Sequence, residues 1–438
     1  MHYHETIVAA VELLLRCGES VTREVCLVRD ASGRLTLVAQ KFKDSSKLKD
    51  AFKERLGNYA TDIGVMEGGI AATVSKAPQS MKKDVFIQSH DKIFEYTYVD
   101  NRVVGEDWLS SNPPHDKITG AKRFIFYSLK GGVGRSTALA VYAAHLASQG
   151  KKSLVIDLDI EAPGLGSILL SNSKDSRSNL PRFGVIDYLL ENGITGVPEE
   201  DLNEFISSSA LGSGAIDVLP AVGYETESRP ELFVEKLSRA LTEDFVGGKK
   251  HSLARQVREM VDAFDRSAAY DAILIDARAG FSEITAATLM GMSAQLIFFG
   301  IDQNQTFSGY RYLLSHLISQ TDFSDGAVGW REKIAFVQSK APGTKRERSS
   351  FKAELFEVCA DTIYDQMDGL ENEEDLFTFS PSDESFLAPH NASYIRYDAA
   401  FSAFDPLRHE EQVDPELFSG AYAKFIERLD QLIEDGVE

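Results

Sequence analysis

The run Lys130-Gly131-Gly132-Val133-Gly134-Arg135-Ser136-Thr137 decides how this chain is read. Immediately before it, Arg123-Phe124-Ile125-Phe126-Tyr127 has the apolar character of a buried strand, and after it Ser136 to Ser148 carries helical spacing. A strand, a glycine-rich turn and a helix form the context that a phosphate-binding loop requires. The glycines let the backbone bend tightly and present N–H groups to phosphate oxygens. The start of the helix adds a dipole that favours an anion. The expected cofactor contacts are therefore Gly131, Gly132, Val133, Gly134, Arg135, Ser136 and Thr137, and the Ser136 hydroxyl stands where a magnesium ligand belongs. An unoccupied tight turn would use the same glycines, so the flanking motifs carry weight.

Outward from the loop, short apolar strands alternate with helical segments. Strands are expected at 153–157, 215–219, 272–275, 295–299 and 333–337, and helices at 231–241, 253–264, 284–290, 310–319 and 351–359. This alternation predicts an α/β fold with a mostly parallel, doubly wound sheet covered on both faces, and with the phosphate loop at its first turn the expected type is a P-loop NTPase. Ligands in such sheets bind beyond the carboxyl ends of the strands. Two carboxylate motifs fall at those ends. Asp157-Leu158-Asp159 closes the second strand, and Tyr270-Asp271-Ala272-Ile273-Leu274-Ile275-Asp276 is an apolar strand ending in Asp276. Carboxylates there suit hard Mg²⁺ and the orientation of water, with Asp276 holding the metal through water. A capping pair of aspartates is the plainer reading of Asp157 and Asp159.

The loop departs from the generic phosphate-loop pattern at two places: Leu129 stands for its first glycine and Arg135 for its lysine. With Lys130 just ahead of the glycine pair, the loop resembles the deviant form of the ParA/MinD family of dimerising ATPases, in an arginine-bearing variant. The resemblance spans residues 122–438. It implies ATP and Mg²⁺ as cofactors and a homodimer with two ATP molecules sandwiched between subunits. It implies that Lys130 reaches the partner's nucleotide, that Asp159 helps position the attacking water and that Asp157 supports the metal shell. The implied catalytic set is Lys130, Asp159 and Arg135, and the implied metal set is Ser136, Asp157 and Asp276. Arginine keeps the charge of the usual lysine but is planar and forked, which predicts slow hydrolysis and a long-lived ATP state. Ala277-Arg278-Ala279-Gly280 would be the second switch segment, where Arg278 replaces the family's usual proline pair. Ile216-Asp217-Val218-Leu219-Pro220 resembles a family strand ending in Leu-Pro, and Asp302-Gln303-Asn304-Gln305 is expected at the pocket edge. Val337-Gln338-Ser339-Lys340 falls near the base-recognition region without the family's asparagine. The arginine variant resembles a bacterial subgroup distinct from plasmid partition proteins, whose roles are varied, with phage defence as one candidate. Bacterial tyrosine kinases share the loop but carry a tyrosine-rich tail, and no tyrosine follows Tyr422 here.

Three segments are expected: a small α+β domain at 1–109, a linker at 110–120 and the ATPase domain at 121–438. The first has helices at 5–16 and 47–56 and strands at 24–28, 35–39 and 93–98, with turn chemistry at Asp30-Ala31-Ser32-Gly33. The linker is marked by Ser110-Ser111-Asn112-Pro113-Pro114. The 438 residues carry 67 acidic and 46 basic side chains, a formal charge of -21. That balance disfavours wholesale attraction to nucleic acid or anionic lipid. Cys17, Cys26 and Cys359 suit neither a disulfide framework nor a zinc site and read as small buried hydrophobes. No apolar run reaches the length of a membrane span, and the first residues lack the positive start of a signal peptide, so a cytoplasmic location is expected. An amphipathic helix over 416–433 has an acidic polar face, which predicts packing on the ATPase core and not on a membrane. Lys345-Arg346-Glu347-Arg348 is read as a charged loop, and Glu371 to Asp375 as an exposed acidic turn.

The sequence therefore predicts a Mg-ATP-dependent dimerising ATPase acting as a switch, with a protein partner recruited through the N-terminal domain. The alternatives are a nucleotide-bound scaffold or sensor that hardly turns over, and an ATPase that partitions DNA or other cargo.

Overall fold

The computed structural model describes residues 1–19, 25–68, 82–89, 92–101, 105, 107–109, 120–170, 179–242, 244–246, 249–321, 327–365 and 376–434. Glu24, the polar stretch 110–119 and the acidic run 371–375 singled out above lie outside them. The chain divides into two compact units, residues 1–110 and 111–438.

The first unit is α+β. Strands β1 (Val25–Arg29), β2 (Leu35–Ala39), β3 (Ala60–Glu67), β4 (Lys82–Ser89) and β5 (Lys92–Asp100) form one sheet in the order β3-β2-β1-β5-β4. The hairpin between β1 and β2 turns on Asp30, whose carboxylate accepts the backbone N–H groups of Ser32 and Arg34, and on Gly33 at φ 88°. Helices Thr6–Arg16 and Ser45–Leu56 pack their apolar faces on Leu27, Leu37 and Tyr96 through Val11, Leu14, Leu48 and Phe52. Arg29 is buried, and its guanidinium donates to Tyr98 Oη, Gly33 O and Thr6 Oγ1 and stacks over the Tyr3 ring. Each of the three nitrogens of this buried cation thereby has a partner, a structural use of arginine.

The second unit is an eight-stranded, mostly parallel sheet wound on both faces. In chain order its strands are β6 (Lys122–Ser128), β7 (Ser153–Leu158), β8 (Ser207–Ser208), β9 (Ile216–Leu219), β12 (Ala272–Ala277), β13 (Gln295–Gly300), β14 (Ile334–Ala341) and β15 (Ser393–Arg396). A separate hairpin holds β10 (Asp244–Val246) and β11 (Lys249–His251). The sheet runs β15-β14-β13-β6-β12-β7-β9-β8, and only the β8 pairing is antiparallel. Alternation puts Phe124 and Phe126 of β6 on one face and Ile125 and Tyr127 on the other, and all four are buried.

On the first face lie the helix Arg135–Ser148 and the helix Pro415–Glu434. Phe425 of the latter meets Phe126, Tyr142 and Phe299. Phe418, Ile426, Leu429 and Leu432 join the same core, as the amphipathic pattern predicts. Tyr142 Oη donates to Asp430 at 3.1 Å, and His145 Nε2 lies 2.9 Å from the same carboxylate. Asp430 of the helix Pro415–Glu434 thus faces the neighbouring helix. On the opposite face Tyr310 of the helix Asn304–Gln320 packs on Phe298 and Phe336. Lys345 to Arg348 do not form a loop: they open the helix Lys345–Thr362, capped by Thr344, whose Oγ1 accepts from Glu347 N and donates to Glu347 Oε2. Cys26 and Cys359 are buried and Cys17 is half-buried. No helix among the described residues is long and apolar enough to cross a membrane.

Candidate phosphate-binding site

Four parallel strands deliver the site to one edge. β6 ends at Ser128 and leads into the glycine loop, β7 ends beside Asp157 and Asp159, β12 carries Asp276, and β14 ends at Lys340 and Ala341. Parallel pairing sets Asp276 directly abreast of Asp157 on one flank and of Phe126 on the other. The carboxyl ends of these strands are thereby brought to a common level, where the first turn of the helix Arg135–Ser148 begins.

The loop has the backbone that its glycines allow. Gly132 and Gly134 adopt left-handed φ values of 74° and 93°, which a side chain would resist. Gly131 needs no such conformation, and a Cβ at Gly131, Gly132 or Gly134 would meet nothing within 4 Å. The space over the loop is open backbone, as an anion cradle needs. Val133 is buried and anchors the loop, Thr137 is half-buried in the first turn, and the Lys130 side chain is exposed. Ser128 Oγ donates to Lys130 O at 3.0 Å, and Lys340 Nζ donates to Gly132 O at 2.9 Å. Lys340 itself has φ 51°, one of three non-glycine residues in the left-handed region among those described. Beside the loop a small depression is lined by Leu129, Lys130, Phe299, Gln305 and Thr306, so the edge of the site there is the first turn of the helix Asn304–Gln320, not a loop.

Arg135 is the centre of the charge network. Its side chain is only 7% exposed; Nε donates to Asp276 Oδ1, Nη2 donates to Asp159 Oδ2 at 2.9 Å, and Nη1 points to Ser128 Oγ at 3.4 Å. Burial alone would lower the pKa of the guanidinium, but its carboxylate partners raise it above the ordinary arginine range. Ser136 Oγ donates to the other oxygen of Asp276. The other Asp159 oxygen accepts from Arg278 Nη1 at 3.1 Å, and Arg278 Nη2 lies 3.1 Å from Glu161. The segment after β12 is pinned to the loop's strand: Gly280 N donates to Ser128 O, and Tyr127 Oη donates to Gly280 O.

Asp157 plays another part. It is 1% exposed, and its oxygens accept the backbone N–H groups of Asp159, Gly164 and Leu165. Burial and the adjacent Asp276 push its carboxyl up to about 7. Burial also raises Asp276, against the pull of Arg135 and Ser136.

A magnesium ion fits the donors present. The Ser136 hydroxyl and the Asp276 carboxylate touch each other and are hard oxygen ligands. Among the described residues no three His, Cys, Asp or Glu side chains converge as a cage. Mg²⁺ commonly takes one or two protein oxygens and completes its shell with water and phosphate. Asp157, whose oxygens hold backbone amides, braces the 159–165 turn.

Sequence reasoning named the loop, Asp157, Asp159 and Asp276, and these come together. It did not foresee the Arg135–Asp159–Arg278 chain of ion pairs, nor the role of Ser128 and Lys340 in holding loop carbonyls. The bend at Lys340 depends on the fold of β14 against the loop, and no local turn signal marks it.

Residues 121–320 match the model of a family described as an AAA domain. The matched segment contains the glycine loop, both carboxylate motifs and Arg278. No curated protein matches the chain. Among solved structures, the chain resembles the cell division ATPase MinD of Pyrococcus furiosus at 17% identity and a TM-score of 0.43, over 71% of this chain and 99% of that one. It also resembles a putative plasmid partition protein of Borrelia burgdorferi B31 bound to AMPPNP at 16% identity and a TM-score of 0.43, over 72% of this chain and 100% of the other.

Proposed function

We propose that this chain binds a nucleoside triphosphate with magnesium at Lys130–Thr137 and hydrolyses it slowly, as a dimerising ATPase switch of the ParA/MinD kind. The observation that carries the reading is the meeting of left-handed Gly132 and Gly134, the Ser136–Asp276 contact and the start of a helix at one sheet edge. Loop amides and Arg135 bind the phosphates, Ser136 and Asp276 hold the metal, and Asp159 orients water. The metal, when bound, neutralises charge on the phosphates. Lys130, exposed beside the loop, is free to serve a nucleotide held by a second copy. The N-terminal unit then offers a surface for a protein partner.

A second reading, a nucleotide-bound scaffold that hardly turns over, draws support from Asp159, both of whose oxygens are held by arginines. Molar mass in solution without nucleotide, with ADP and with ATP tests the first reading. A dimer specific to ATP and lost in Lys130→Ala is expected, whereas equal masses in all three states would overturn it. Steady-state phosphate release at background while ATP stays bound would favour the scaffold.

A further inference from the structure

We infer that Asp159 is a carboxylate locked between two arginines and unlocked by the nucleotide itself, an inference that rests on the proposed nucleotide site. Asp159 gives Oδ2 to Arg135 and Oδ1 to Arg278, so both oxygens are tied to a cation and the carboxylate is held turned toward the two guanidinium groups. Its two partners differ. Arg278 lies on the segment after β12, is partly exposed and has a second carboxylate, Glu161, to hold it. Arg135 is buried at the start of the loop helix, at the point where loop amides and helix dipole would gather a phosphate. A guanidinium pairs with phosphate as well as with carboxylate, and a triphosphate brings more negative charge than one aspartate. The arriving nucleotide therefore competes with Asp159 for Arg135. When it wins, Oδ2 of Asp159 is released while Arg278 keeps Oδ1 and holds the carboxylate in place. Arg278 is thus a positioning residue. It shares the negative charge of Asp159 and so lowers the hold of that carboxylate on Arg135.

This arrangement has a thermodynamic signature that charge alone does not produce. Neutralising Asp159 removes the competitor and tightens nucleotide binding. Removing Arg278 leaves Asp159 with Arg135 as sole counter-ion and weakens nucleotide binding, but only while Asp159 is charged. The full chain is titrated calorimetrically with Mg-AMPPNP as wild type, Asp159→Asn, Arg278→Gln and the double variant, each first checked for folding by its melting curve. Asp159→Ser supplies the neutral background if Asp159→Asn does not fold. Expected are binding about tenfold tighter in Asp159→Asn, about threefold weaker in Arg278→Gln, and less than about twofold change from Arg278→Gln in the neutral background. Arg278→Lys restores part of the wild-type affinity. Equal weakening by Arg278→Gln in both backgrounds, or no tightening in Asp159→Asn, overturns the inference and leaves the nucleotide site standing. Absence of any heat with wild type removes the site and the inference together.

Discussion

Asp157 and Asp276 are cross-strand partners on β7 and β12, two buried carboxylates held abreast by parallel pairing. Only one of them has a cation: Asp276 pairs with Arg135, whereas Asp157 accepts backbone amides. Burial, with Asp276 beside it, pushes the Asp157 carboxyl up to about 7 against the pull of those amides.

The sign of the resulting pH dependence follows from linkage. Between the ordinary aspartate pKa of about 4 and about 7 the folded state binds the proton that the unfolded state has lost, so stability falls as pH rises through that window. With EDTA present, the free energy of unfolding should be higher at pH 5 than at pH 7, by about 2 kcal/mol from this group. Asp157→Asn should flatten that difference. Urea titrations at the two pH values check it, and an equal slope in the variant would sink the claim.

Arg135 and Lys130 should separate stability from function. Arg135→Met leaves Asp276 buried without its cation and should cost about 3–5 kcal/mol in denaturant unfolding. Lys130→Met changes an exposed side chain and should stay within about 0.5 kcal/mol of wild type while abolishing the ATP-specific dimer. A Lys130 variant that dimerises normally would remove the trans role.

The loop glycines should divide in the same manner. Gly134→Ala puts a side chain at φ 93° and should lose about 1–2 kcal/mol of stability along with nucleotide affinity. Gly131→Ala needs no unusual backbone and meets no neighbour, so stability should hold while the methyl obstructs phosphate approach. Calorimetric titration with Mg-ATP beside a melting curve decides between them; unimpaired binding in Gly131→Ala would place the phosphates elsewhere.

Phe425→Ala should cost about 3–5 kcal/mol, because its ring fills space between Phe126, Tyr142 and Phe299 in the core. A loss below about 1 kcal/mol in guanidinium unfolding would mean that the helix Pro415–Glu434 is not integral to the fold.

What the sequence made legible tracks how local each signal was. The strands 123–127, 153–157 and 272–275 were readable because burial on both faces makes them continuous apolar runs bounded by turn residues. The helix Val185–Ile194 was not, since its opening Val185-Ile186-Asp187-Tyr188-Leu189-Leu190 has no clear helical period and is as short as a strand. β3 contains Gly64 and mostly polar or exposed positions, and β15 is four residues long, so neither announces itself. The start at Lys345 had a signal, the Thr344-to-Glu347 capping spacing, but the charges around it read as loop. In the site, the carboxylates at the strand ends, Asp157, Asp159 and Asp276, could be named, whereas Ser128 at the end of β6 could not. The pairing of Asp159 with both Arg135 and Arg278 could not, because it joins positions 24 and 119 apart in the chain that meet only when three strands align.

The aromatic face of the helix Pro415–Glu434 is laid over Tyr142, on the very helix that begins at the glycine loop. The two helices therefore lie side by side on the sheet, and whatever loosens the helix Pro415–Glu434 also loosens the flank of the loop helix. The phosphate loop is thus steadied from a helix nearly three hundred residues away in the chain, through a shared aromatic core.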